Sequence, residues 1–271
     1  MGNCNKTVFA FILVPSNVSG PKKDILQSLI AYQQVKSLVR EELNQIEDDV
    51  VSQILTGRTI DFNEPLSESF IKKVTTFSKQ FSKYRDKTPP LCVFDLNYDE
   101  KDDMILQRLR ENELLNRKED VVKVIFYPTY VSTDDGLLNM DYFDFVNGAS
   151  MGVFPSRYEP WGYTPFETAV MRTLVVTTDV AGFGITILKM CKEKSPPIKI
   201  LRVREKSDEE IVRELTDIME ECVFMEEEKR TMEKMRTRML VRNLDWENLI
   251  ENYIKAHNLA LENMKSRLKL S

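Results

Sequence analysis

Short apolar runs recurring between helix-patterned stretches constrain this chain more than any other feature. Val8–Val14 (VFAFILV) is continuously apolar and stopped by Pro15, the pattern of a strand buried on both faces. Further runs follow at Leu91–Phe94, Val121–Phe126 (VVKVIF), Met151–Phe154, Leu174–Thr178 and Ile198–Val203. Helical patterns separate them at Asp102–Asn112, Tyr142–Asn147 and Thr164–Arg172. After the last strand, a long helix is expected from Ser207 to about Val241. Ser207 is its N-cap and Glu210, three residues on, completes a capping box. A final helix is expected from about Asp245 to Leu268. Buried strands alternating with helices specify an α/β fold, a doubly wound and mostly parallel sheet.

One stretch interrupts this rhythm. From Pro21 to about Leu55, the residues Ile25, Leu26, Leu29, Ile30, Leu38, Val39, Leu43 and Ile46 recur at helical spacing between charges. A second helical stretch covers roughly Ser67–Tyr84. Together they read as a helical hairpin inserted at about residues 21–86, suited to packing between subunits. The 271 residues otherwise allow one large domain or two small ones.

Composition removes several classes of function. The net charge is −5 and the pI about 5.3, which opposes general nucleic-acid binding. His257 is the only histidine, so sites built from two or three imidazoles are excluded, and its helical setting points to an ordinary helix residue. Cys4, Cys92, Cys191 and Cys222 are spread singly, without CxxC spacing, as in a reduced cytoplasmic protein. No metal-ligand cluster is apparent. The longest apolar run is far short of the ~18 residues of a membrane span. No signal peptide is expected. The start misses the myristoylation pattern, because its hydroxyl residue is Thr7 rather than residue 6. The sequons at Asn5 and Asn17 carry no meaning in a cytoplasmic chain. GxGxxG and GxxxxGK[ST] are both missing, so standard dinucleotide and P-loop sites are unsupported.

The segment Gly152–Glu167 (GVFPSRYEPWGYTPFE) starts as a strand and becomes a helix. Ligands of parallel α/β sheets bind just beyond the carboxyl ends of strands, which places a site at this turn. Thr164 is the expected N-cap, with Pro165 at N1 and Glu167 at N3 of a capping box. The free amides of such a helix end suit a phosphate. Glu159 and Glu167 flank Trp161-Gly162-Tyr163, a set of carboxylates and aromatic rings suited to a sugar. In a glutamate-rich chain the same spacing also arises by chance.

The segment resembles the signature of the eukaryotic glycogen synthase family. Glu159–Glu167 (EPWGYTPFE) matches that family's E-x7-E segment almost letter for letter. Asp141–Gly148 (DYFDFVNG) resembles its DYxEFVRG, Thr177–Gly184 (TTDVAGFG) its TTNxSGFG, and Val122–Pro128 (VKVIFYP) its VKMIFHP. Thr7–Pro15, Leu244-Asp245-Trp246 and Lys255–Leu261 extend the likeness over essentially the whole chain. The resemblance implies a UDP-glucose-dependent transferase. It would extend an alpha-1,4-glucan such as glycogen at its non-reducing end, with retention by front-face substitution, without a metal or other cofactor.

The family's fold is GT-B, two Rossmann-like domains around a cleft. Residues 7–271 would be most of the carboxyl-terminal domain, carrying the donor-nucleotide half of the site. The amino-terminal domain would be absent, leaving the isolated chain inactive. By resemblance, Glu159 supports the developing oxocarbenium charge, Glu167 holds the ribose and Tyr142 stacks on the uracil. Tyr163 and Thr164 lie at the diphosphate, while Trp161 and Gly162 shape the glucose pocket. The family also implies a homo-oligomer, a tetramer built through the helical insert, and glycogenin as a partner. Departures are Ser150 in place of a histidine associated with glucose-6-phosphate, Val93–Leu96 in place of THNM, and Phe126–Thr129 in place of FHPE. The arginine-rich regulatory helix corresponds to Glu226–Arg238, which keeps Arg230, Lys234 and Arg236 as candidate allosteric cations. The same stretch also reads as a solvated face with i,i+4 pairs such as Glu226–Arg230. The alternative function is a non-catalytic relative that binds a UDP-sugar or serves in oligomerisation.

Overall fold

A computed structural model describes residues 7–57, 67–85, 88–191 and 196–268. Cys4, the Asn5 sequon and part of the helical insert lie outside the described residues. The chain divides into two compact units, with the boundary between Asn139 and Met140.

In the first unit, β1 (Val8–Leu13) pairs in parallel with β4 (Val122–Tyr127), from Val8 opposite Val122 to Leu13 opposite Tyr127. β2 (Val18–Pro21) pairs antiparallel with β3 (Phe94–Leu96). The helix α3 (Met104–Glu111) is capped by Asp103, whose carboxylate accepts from the Leu106 amide at 2.9 Å. Leu106 and Leu109 of α3 pack with Cys92, Val124 and Phe126 to form the core. The reading of β1 as buried on both faces is corrected. Ala10 and Ile12 pack against that core, while Phe9, Phe11 and Leu13 lie on the exposed face. One helix layer covers one face, so the strand alternates in burial although its sequence does not.

Asn116 locks β4. Its side chain donates to the carbonyls of Pro89 and Val124 and accepts from the Val124 amide at 2.7 Å, while being 1 % exposed. The helical hairpin comprises α1 (Lys23–Leu55) and α2 (Glu68–Arg85), packed on each other. Ser67 caps α2, and both its amide and hydroxyl donate to Glu42 of α1. In α1 only Ala31 is buried, while Leu43, Ile46 and Ile54 are exposed.

In the second unit, β5 (Met151–Val153), β6 (Leu174–Thr178) and β7 (Lys199–Leu201) form a parallel sheet with β6 central. All five residues of β6 are buried. Val175 faces a cluster with Ala169, Phe183, Ile187 and Val241. Val176 faces the opposite one, with Leu201, Val203 and Ile211. The sheet is therefore covered on both sides. One layer holds α5 (Tyr163–Val170), α6 (Gly182–Met190) and α8 (Glu227–Val241), and the other holds α7 (Asp208–Phe224). α4 (Tyr142–Gly148) precedes β5.

The capping box of α7 forms as expected, with Ser207 and Glu210 bonding each other's backbone amides. The single helix expected from Ser207 to Val241 is instead two. α7 stops at Phe224, and Met225 and Glu226 take extended backbone before α8 begins. Met225 turns into a small core with Leu174 and Cys222, so burial wins over helix continuity. α9 (Trp246–Leu268) has no buried residue. No helix among the described residues is long and apolar enough to cross a membrane.

Candidate functional site

The stretch leaving β5 runs beside the stretch leaving β6, with the register moving by one residue between the Val153–Val176 pair and the Glu159–Ala181 bridge. The Phe154 amide bonds the Val176 carbonyl at 2.9 Å, extending the ladder. The Thr178 hydroxyl donates to the Ser156 carbonyl at 2.7 Å. Glu159 forms a parallel bridge with Ala181. The Gly182 amide then donates to the Glu159 carbonyl at 3.0 Å, and the Phe183 amide to the Trp161 carbonyl at 2.6 Å. The loop carbonyls thus satisfy amides at the start of α6 that no intrahelical partner could reach.

Gly182 makes this approach possible. A Cβ there would lie 2.1 Å from the Pro160 carbonyl oxygen and 3.0 Å from the Trp161 Cα. Backbone atoms cannot swing aside as side-chain ends do. The loop carrying Glu159 therefore sits where it does because residue 182 has no side chain.

The start of α5 differs from expectation. Gly162 is its N-cap, in left-handed backbone at φ 103°, and no side chain caps the helix. Thr164 and Pro165 lie inside the first turn, so the capping box between Thr164 and Glu167 does not form. The reason is local. Gly162 reaches a conformation that other residues avoid, and the helix starts two residues earlier than a Thr164 cap would start it. Glu167 falls in the second turn, free of a capping duty. Pro165 lacks an amide, so the exposed amides of the first turn belong to residues before it.

Tyr142 opens α4, behind Asp141, whose carboxylate accepts from the Phe143 amide at 2.8 Å. The Tyr142 ring is half-buried and meets Phe143 edge-on at 5.5 Å. Burial pushes its hydroxyl pKa up, the Glu167 carboxylate pushes it further, and Thr168 opposes them. Two candidate residues from separate segments, Tyr142 and Glu167, are thereby brought together. Tyr163 is 71 % exposed on the first turn of α5 and Thr164 is also exposed, open to a ligand. Glu159 is partly buried, and its Cγ lies 3.4 Å from where a Cβ on Gly162 would be. Trp161 turns inward. Its ring meets Phe183 edge-on at 6.1 Å and packs on the core cluster, so it supports the loop from beneath.

The loop's outer flank is tied by an ion pair between Arg157 and Asp208, at the start of α7. Both partners are well exposed, which limits its worth. The cavity of about 20 Å³ beside Met151, Leu174, Lys199 and Cys222 lies at the opposite, amino end of the strands and is not part of this site.

The candidate allosteric cations have local partners. The Arg230 guanidinium donates to the carbonyls of Cys222 and Met225 at 2.9 and 3.2 Å, closing the carboxyl end of α7. Arg236 pairs with Glu233 at 2.5 Å. Lys234 is half-buried and close enough to Cys222 to favour its thiolate, although burial dominates and raises that thiol's pKa. Among the described residues, no group of three or more His, Cys, Asp or Glu could hold a metal ion.

The sequence reading missed α6 and the roles of Thr178 and Gly182. The available signal was the pair of glycines around Phe183, directly after a strand, where a close approach is the common reason for glycine.

Comparison with known proteins places these motifs in context. The family model described as glycogen synthase matches residues 1–268. The chain is 32 % identical over 267 residues to glycogen [starch] synthase isoform 2 of Saccharomyces cerevisiae, covering 94 % of this chain and 38 % of the yeast one. It is 33 % identical over 263 residues to glycogen [starch] synthase of Neurospora crassa, covering 94 % of this chain and 36 % of the other. It is 32 % identical over 264 residues to the liver glycogen [starch] synthase of Mus musculus, covering 96 % and 37 % respectively. The chain therefore spans less than two-fifths of the length of these relatives. A solved chain titled trehalose-6-phosphate synthase, OtsA, gives a TM-score of 0.41 at 10 % identity, over 93 % of this chain and 43 % of that one.

Proposed function

Because the chain belongs to the glycogen synthase family, we propose that it supplies the donor-nucleotide side of a retaining transferase. That enzyme moves glucose from UDP-glucose to the non-reducing end of an alpha-1,4-glucan. The observation that carries this reading is the zipped loop Phe154–Gly162 leading into an uncapped helix. It offers a carboxylate, Glu159, and helix-end amides beyond the carboxyl ends of the strands.

Each part has a chemical task. The first-turn amides of α5, with the Tyr163 and Thr164 hydroxyls, receive the diphosphate and stabilise the charge that grows on it as the sugar leaves. The Glu159 carboxylate lies beside the transferred glucose and favours positive charge at its anomeric centre. Front-face substitution asks for no covalent sugar–enzyme bond, so Glu159 acts by its field rather than as a nucleophile. Glu167 accepts hydrogen bonds from the ribose hydroxyls, and Tyr142 presents its ring to the uracil. Trp161 and Gly162 shape the glucose pocket indirectly, by holding the loop. The site needs no metal, because helix amides and hydroxyls meet the anion.

Assembly belongs to the same proposal. The exposed apolar residues of α1, among them Leu43, Ile46 and Ile54, suit contact between subunits of a homo-oligomer such as a tetramer. The same proposal includes a cytoplasmic setting and glycogenin as a partner.

The test is UDP binding to this chain by titration calorimetry, with Tyr142→Ala and Tyr142→Phe in parallel. Binding that is lost in Tyr142→Ala and kept in Tyr142→Phe supports a stacking ring. A wild-type chain that gives no heat with millimolar UDP refutes a donor site preformed in this chain.

A further inference from the structure

We infer that Thr178 is a positioning residue for the donor site, acting through its hydroxyl on the loop that carries Glu159; the inference rests on the function proposed above. The loop and the stretch after β6 are joined by a run of rungs: Phe154 with Val176, Ser156 with Thr178, Glu159 with Ala181 and Gly182, and Trp161 with Phe183. Apart from the Thr178 rung, the described rungs are main chain to main chain. At Ser156 the donor is a side-chain hydroxyl, 2.7 Å from the carbonyl. The reason is geometric. Between the Phe154 and Glu159 rungs no main-chain bond is described, and the Asp179 amide bonds Leu201 on the far side. A threonine side chain spans the gap that the backbone leaves.

Three facts make this rung specific. Thr178 is 0 % exposed, so solvent does not compete for its hydroxyl. Threonine's branched Cβ restricts its rotamer, so the donor is held in place. Ser156 lies three residues before Glu159, between the end of the regular ladder and the Gly182 rung. Without the Thr178 bond, the loop would have no described rung between Phe154 and Glu159. Its freedom would be felt at the carboxylate and at the start of α5. The Arg157–Asp208 pair beside it is exposed and cannot substitute.

The experiment compares wild type, Thr178→Val and Thr178→Ser in this chain, with two readouts taken well below the unfolding temperature. Amide hydrogen exchange reports the loop directly at Gly182 and Phe183, which donate to its carbonyls. UDP affinity reports the site. Thr178→Val, which keeps the shape and removes the donor, is expected to speed exchange at those two amides about tenfold, the weight of one hydrogen bond. Amides inside β6 should be unchanged. UDP affinity should fall by a similar factor, and Thr178→Ser should restore both. Should Thr178→Val fail to fold, Thr178→Ala removes the hydroxyl without setting a methyl against the carbonyl.

Unchanged exchange and affinity in the folded Val or Ala variant overturn the inference. So does a Ser variant that behaves like Val. If wild type binds no UDP, the proposed function fails, and the exchange comparison still decides whether Thr178 positions the loop.

Discussion

Replacing Gly182 with alanine tests the construction of the site at its tightest point. The added Cβ would meet the Pro160 carbonyl oxygen at 2.1 Å and two further backbone atoms at 3.0 Å. Contacts between carbon and oxygen settle near 3.3–3.6 Å, so the loop or the start of α6 has to move by about 1 Å. That movement breaks or weakens the bonds from the Gly182 and Phe183 amides to the loop, at about 1 kcal/mol each. Overpacking against backbone adds about 1–3 kcal/mol. Alanine's lower unfolded-chain entropy returns about 0.5–1 kcal/mol. The expected loss is about 2–4 kcal/mol, confined to the second unit.

Urea unfolding followed by the fluorescence of Trp161 measures it, in a Trp246→Phe background that leaves Trp161 as the single tryptophan. Gly148→Ala is the control. Nothing lies within 4 Å of a Cβ there and its backbone is helical, so it should be neutral or slightly stabilising. Gly182→Ala unfolding within about 0.5 kcal/mol of wild type, the range of a neutral surface change, with unchanged UDP affinity, would refute the close-approach argument.

Other outcomes follow from single groups. Glu159→Gln keeps the shape and removes the charge; glucose transfer by the longer relatives carrying the same change should fall by at least about 100-fold, with UDP affinity little altered. Asn116→Ala removes two buried bonds at Val124 of β4 and a third, partly buried, to the Pro89 carbonyl, and should cost the first unit about 2–4 kcal/mol in urea unfolding. Burial pushes the Asp135 carboxyl up, but the amides of Leu137, Asn139 and Ser132, helped by the Tyr127 hydroxyl, outweigh it and hold the pKa below the ordinary value. Its folded value is the lower one, so its stabilisation is full above the usual carboxylate pKa of about 3.9 and fades as pH falls through the folded value. Asp135→Asn should flatten the acid limb of the first unit's unfolding curve.

How far sequence reading reached depended on whether a signal was local. The β6 strand was legible residue for residue because both its faces are covered, so every position is apolar or a small threonine. The capping box at Ser207 was legible because its two partners are three residues apart. The same local logic failed at Thr164. There the structure uses Gly162 in left-handed backbone instead, directly after the Trp161 carbonyl that accepts from the Phe183 amide of α6. It failed again at Met225, where a contact with Leu174, distant in sequence, ends α7.

The sequence by itself determined the α/β class, most strand and helix positions, and the residues of the signature Glu159–Glu167, because apolar period and side-chain chemistry are properties of neighbouring residues. Only the tertiary structure decided which of them meet. It set Tyr142 against Glu167, turned Trp161 into the core, freed Glu167 from capping, and tied Arg230 to the end of α7. It also made Thr178 and Gly182 the supports of the loop. Those assignments depend on where two crossovers of a parallel sheet pass within hydrogen-bond distance, which is fixed by packing between segments rather than by any one of them.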